Sequence, residues 1–230
     1  EDIILNDPDY FKVRDFVTTK RLFDARVHFG HAVGCRNPHM VPYLFGSRVG
    51  TDIIDLEQTK TLMQDALNFL AHVVYRGGLI LFITKSKQNM FIVEKAARDA
   101  GEYSHCRYWK GGIMTNSEKI FKGMVRLPDV MIFLNTMNSV MEQHVAVVES
   151  SKSLVPTIGV VDTNCDPRLI SYPIPGNDDT PQSIQLYCDL FRDTILRAKE
   201  YSKRDNVNDG KDDTADVNLT GKASVGSPTS

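Results

Sequence analysis

The chain has 230 residues, enough for one large domain, and its 42% hydrophobic and 24% charged content is that of a globular protein. A formal net charge of −2 excludes overall basicity as the means of holding nucleic acid, so any RNA would be held by a local patch. No apolar run approaches the roughly 18–20 residues of a membrane-spanning helix, and four cysteines without a C-x-x-C pair fit free thiols better than a disulfide framework.

Residues 1–19 carry scattered aromatics (Tyr10, Phe11, Phe16) without a sustained period and read as an N-terminal arm. A single α/β domain is expected over residues 20–201. Ile53–Leu56 is a short strand candidate. Leu62, Ala66, Phe69, Leu70 and Val73 follow at helical spacing and stop before Gly77. Leu79–Ile83 is an apolar run between breakers, as in a strand buried on both faces. Ser86 is placed to cap the next helix, whose stripe is Met90, Val93 and Ala97 and whose end is Gly101. A short strand is expected before His105, a buried strand at Val130–Leu134, a helix near Met141–Ser150 and a strand at Thr157–Val161. Tyr172–Asp179, with two prolines, reads as a rigid connector. Thr180-Pro181 then opens a helix with Ile184, Cys188, Phe191 and Ile195 inward. Strands alternating with helices predict a doubly wound parallel sheet of about five strands with helices on both faces. Residues 202–230 contain no aromatic and are expected to form a polar, disordered C-terminal tail.

In such sheets functional loops gather at the carboxyl ends of the strands. Lys85, Ser86 and Lys87 there could hold a phosphate at a helix N-terminus, or form only a solvated cap. No G-x-G-x-x-G or G-x-x-x-x-G-K-[ST] marks a nucleotide enzyme. His105–Gly112 combines cations, aromatics and a Gly-Gly pair, which suits RNA; equally, Trp109 could anchor a glycine turn to the core. Gly111–Asn116 resembles an anion-binding turn. His28, His31, Cys35 and His39 fall within twelve residues, but their spacing is not that of a standard structural zinc site, and neither metal nor cofactor is expected. Asp162–Pro167 offers carboxylates and the Cys165 thiol, but no nearby histidine activates it, and a turn is the favoured reading.

VHFGH at Val27–His31, NPHMVPYLFG at Asn37–Gly46, IIDLEQT at Ile53–Thr59, RYWKGGIMTN at Arg107–Asn116, LPD at Leu127–Asp129 and VDTNCDP through YPIPGNDD come in one order over Leu22–Lys199. Together they resemble the small-subunit ribosomal protein S2 family, the universal second protein of the small subunit. The resemblance implies a flavodoxin-like fold, no catalysis, no small-molecule substrate, no membrane, and binding to small-subunit rRNA and neighbouring ribosomal proteins. The RNA-binding candidates are His28, His31, Arg36, Asn37, His39, Arg48, Lys85, Lys87, Arg107, Trp109, Lys110, Gly111, Gly112, Thr115 and Asn116. Bacterial members of the family carry a long charged hairpin before the Leu-Pro-Asp element. Here Asn116 to Leu127 leaves room only for a short helix around Glu118–Met124. That departure resembles the mitochondrial form and implies a place in the small subunit of the mitochondrial ribosome, in the matrix. Lys85-Ser86-Lys87 in place of glycine-threonine-lysine, and His39 where lysine is common, would move the interface from rRNA towards protein. The alternative from another class is a nucleotide- or phosphate-metabolite-binding α/β enzyme.

Overall fold

The computed structural model describes residues 9–139 and 142–220, with side chains in the last helix described as far as Asp205. Five parallel strands form the main sheet: β4 (Ile80–Ile83), β5 (Tyr103–His105), β6 (Val130–Phe133), β7 (Thr157–Val161) and β8 (Tyr172–Pro175). Their spatial order is β5-β4-β6-β7-β8. The chain leaves β4 in one direction and returns on its other side at β6, so the topological switch point lies between those two strands, as in a flavodoxin-like sheet.

Alternation along β4 and β6 divides the core into two layers. Ile80, Phe82, Val130, Ile132 and Leu134 face α2 (Leu56–Tyr75), α3 (Met90–Ala100) and the long α6 (Pro181–Thr220). Ile83, Met131 and Phe133 face the opposite way, onto Trp109, Met114 and the short α5 (Val145–Lys152). Asp55 caps α2 by accepting from the Glu57 N–H at 3.0 Å. Helices α2 and α3 stop at Gly77 and Gly101, as their sequence signals indicate. On the first layer, Phe11 and Val13 of the arm are fully buried, with the Phe11 ring against His72, Tyr75 and Tyr201. The arm thus lies on this domain. Its first eight residues, and residues 221–230 of the expected tail, lie outside the described residues. Helix α6 continues to Thr220, into the segment expected to be a polar tail.

Two assignments change. The Ile53–Leu56 candidate is not in the parallel sheet. It falls on β3 (Thr51–Ile54), which pairs antiparallel with β1 (Phe29–Ala32) and β2 (Leu44–Arg48) in a separate three-stranded sheet, after a short helix α1 (Thr19–Asp24). The fifth parallel strand is instead β8, inside the segment that reads as a connector. Two prolines argue against a central strand, but β8 is the sheet edge, where proline is tolerated.

The β2–β3 hairpin turns through Val49 and Gly50, both at positive φ (52° and 76°). A two-residue turn of this kind favours Asn-Gly, and a β-branched residue there is strained. Val49 is also 96% exposed, so packing returns nothing for that strain. Val49→Asn is expected to stabilise the isolated chain by about 1 kcal/mol, read as a higher denaturant midpoint at unchanged m-value; an unaltered midpoint would show the turn to be relaxed.

Candidate functional site

The carboxyl ends of β4, β6, β7 and β8 converge on a polar cluster, and β1 lays His31 across it. Gly30 makes that approach possible, since a Cβ there would lie 2.4 Å from Thr163 Cγ2. The His31 backbone N–H donates to Thr163 Oγ1 at 2.9 Å. Its imidazole contacts the buried Asp162 through Nδ1 (3.1 Å) and Asp179 through Nε2 (3.4 Å). The hydrogen bond to Asp162 is the main reason that the His31 pKa rises to about 9, so the ring carries a charge at neutral pH. Burial, with Asp162 and Asp179 nearby, raises the Asp178 carboxyl to about 8. Asn135, at the end of β6, ties the cluster together. Its amide donates to the Asp178 backbone carbonyl (2.9 Å) and carboxylate (3.2 Å), and its oxygen accepts from Thr84 Oγ1 (2.7 Å). A cavity of about 270 Å³ opens beside these groups and reaches Lys85 and Asn138. His31, Asp178 and Asp179 offer ligand atoms within 4.8 Å of one another, a set a cation could use; the imidazolium already supplies positive charge there.

The Trp-Gly-Gly loop is an anion-binding turn, but its anion is internal. Glu149 of α5 accepts from the Trp109 indole N–H (3.3 Å), the Met114 N–H (3.2 Å) and the Gly112 N–H. Gly112 sits at φ +93°, which turns its N–H inward. Trp109 is 4% exposed and belongs to the second core layer. Of the two sequence readings of Trp109, the core anchor describes its position. His144 begins α5 with its Nδ1 accepting from the Ala146 N–H at 3.2 Å, a role open only to the neutral ring. Burial, then Lys85 and His105, lower its pKa to about 4.

The remaining candidates divide by exposure. Arg36 makes a two-pronged contact with Asp52, which is fully buried, with Nε donating at 2.8 Å. Asn37 caps a 3-10 turn through the His39 N–H (3.0 Å) and ties its own N–H to Thr163 O (2.8 Å). His28 stacks on Phe23 and tilts against Phe29, away from the His31 cluster. The four residues weighed as zinc ligands therefore do not converge. Ser86 does not cap α3: that helix begins at Met90 with Asn89 at its N-cap, and Lys85–Lys87 form the approach to it. The Lys85 ammonium donates to the Asn138 carbonyl. His39, Arg48, Lys87, Arg107, Lys110, Gly111, Thr115 and Asn116 are exposed. The Cys165 thiol, pushed to about 12 by burial, is protonated at neutral pH and is no nucleophile.

The sequence signals point to loops but not to the acids that organise them. Glu149 lies inside an expected helix with nothing in the local pattern to single it out. Asp178 and Asp179 fall in the connector reading because β8 does.

The ribosomal protein S2 family model matches this chain in two pieces, residues 22–125 and 119–198, spanning nearly all of the folded region. The chain belongs to the ribosomal protein S2 family. Among S2 relatives it is 54% identical to small ribosomal subunit protein uS2m of Bos taurus over 201 residues, covering 86% of this chain and 69% of that protein. It is 35% identical to small ribosomal subunit protein uS2 of Rhizobium rhizogenes over 233 residues (81% of this chain, 89% of that protein), and 33% identical to uS2 of Rickettsia felis over 232 residues (82% and 77%). The longer alignments to the bacterial S2 proteins cover less of this chain, so those relatives carry residues that this one lacks. The family match divides at residues 119–125, where the bacterial hairpin is expected to be missing.

Proposed function

We propose that the chain is a structural component of the small subunit of the mitochondrial ribosome, in the matrix, that it binds small-subunit rRNA and neighbouring ribosomal proteins, and that it catalyses no reaction. Family membership carries this reading, and the site supports it. Two of the strand-end loops are taken up by the chain's own groups, with His31 over the β7 and β8 ends and Glu149 in the glycine turn, while the cavity at the β4 and β6 ends stays open. Cations at the same end, including Lys87, Arg107 and Lys110, remain exposed. Among the described residues no helix is long and apolar enough to cross a membrane.

Gradient sedimentation of a mitochondrial lysate tests the proposal. Salt-resistant co-migration with the small subunit is expected, and a free peak at the top of the gradient would sink it. Arg107→Ala with Lys110→Ala should flatten the salt dependence of rRNA binding by about one unit for each phosphate no longer neutralised and lower incorporation without changing the melting temperature of the free chain. An unchanged salt slope would remove both residues from the rRNA interface.

A further inference from the structure

The crossover from β5 to β6 passes over β4 on the second face of the sheet, where a doubly wound fold normally lays a helix. Here it carries only the five-residue α4 (Ser117–Phe121), ended at Lys122 with φ +54°. The consequence shows in the register. Leu81 pairs with Tyr103 and Ile83 with His105, on the same face. Ile80 and Phe82, on the helix-covered face, are fully buried, whereas Tyr103 is 61% exposed and Leu81 is only partly covered. An open groove of about 430 Å³ remains, walled by Leu79, Leu81, Tyr103, Ile113, Phe121 and Leu127. Phe121 is 54% exposed and Met124 95%.

The surrounding charge is one-sided. Arg126 lines the groove, and Lys119 and Lys122 flank its wall residue Phe121 in the chain, against Glu118 in the same short helix, in a chain whose total charge is −2. Arg126 pairs with Asp129; among the described residues Lys119 and Lys122 are in no ion pair. The family match breaks at this crossover, and the bacterial relatives need longer alignments to cover less of the chain. We propose that the groove is the docking site for an acidic amphipathic helix of a neighbouring small-subunit protein, which lays its apolar face over β4 and β5 and its carboxylates along the basic rim. The mode is helix-in-groove recognition, with anchors at i, i+3 and i+4. Arg126 is the one Lys or Arg side chain in the lining and is already paired with Asp129, so the walls present mainly apolar surface, which favours a protein occupant over rRNA.

This inference rests on the ribosomal reading, and the test separates the two. A photoreactive benzophenone amino acid is placed at Phe121, keeping an aromatic ring there, and assembled small subunits are irradiated. The expected product is a crosslink to one protein segment with apolar residues at helical spacing and an excess of Asp and Glu. Lys119→Glu with Lys122→Glu, which sets like charges face to face, should cut its yield about tenfold while the free chain melts unchanged. A crosslink to rRNA, to a second copy of the chain or to a neutral or basic segment overturns the proposal, as does no crosslink from a chain that sediments with the subunit. Absence of the chain from the subunit overturns both readings.

Discussion

Replacing His31 with Asn should lower the stability of the free chain by about 2–3 kcal/mol near pH 6.5, the cost of removing one partner from a largely buried ion pair, discounted for the quarter of the imidazole that remains in water. For a domain of this size that is a fall of roughly 4–12 °C in Tm. The loss arises because the buried Asp162 would lose its cationic partner and Asp179 its neighbouring positive charge. The pH dependence identifies the cause. The folded pKa of His31 is raised from 6.5 to about 9, so its contribution is complete below pH 6.5 and disappears as pH rises through 9. Asp178, raised to about 8, acts in the same direction and loses its proton in the native state as pH rises. His144 acts in the opposite sense, but only from pH 6.5 down to about 4, outside this interval. The stability gap between the His31→Asn variant and the parent should therefore narrow steadily from pH 6.5 to 9. A gap that stays constant over that interval would mean that the native imidazole is uncharged and that His31 acts only through packing.

Glu149→Ala should be at least as damaging, by about 3–5 kcal/mol, because three N–H donors lose one shared acceptor inside the fold. Glu149→Gln keeps one carbonyl acceptor and should cost about half as much. Trp109 is the sole tryptophan and is 4% exposed, so its emission reports directly on the loop. A red shift is expected in the alanine variant at temperatures where the far-ultraviolet circular dichroism is still native. Emission that stays blue with a loss under about 1 kcal/mol would show that core packing alone holds Trp109. Because Arg107 and Lys110 flank Trp109 in the chain, the alanine variant should also incorporate poorly into subunits although Glu149 itself is buried.

The parallel sheet is legible in the sequence because its central strands are continuous apolar runs: Leu79–Ile83, Val130–Leu134 and Thr157–Val161 admit few other readings. The helix ends at Gly77 and Gly101 are equally plain. Strand β8 is obscured by Pro173 and Pro175, which are unfavourable everywhere in a sheet except at its edge, and edge position belongs to the topology, not to the local residues. Ile53–Ile54 reads as extended, as it is, but gives no sign of its antiparallel partners, because four residues hold too short a pattern to distinguish one sheet from another. For the site, motif positions are visible and roles are not. Trp109, Gly112 and Asn37 carry recognisable strings, yet their hydrogen-bonding groups are turned to the chain's own interior. The side chain that explains the Trp-Gly-Gly loop, Glu149, is 40 residues beyond Trp109 in the sequence. Long-range pairing between a loop and an acid on another helix leaves no periodicity to read.

The geometry of β8 also bears on the chain before it has any partner. Gly176 donates its N–H to Val161 of β7, so along β8 the alternate positions facing outward are Pro173 and Pro175, which have no N–H to offer. The Pro175 carbonyl is taken by Thr59 Oγ1 at 2.8 Å. The opposite margin, β5, is only three residues long. A newly made molecule waiting for assembly thus presents scarcely any template for strand addition by another copy, and the parallel sheet is protected from edge-to-edge aggregation at both margins.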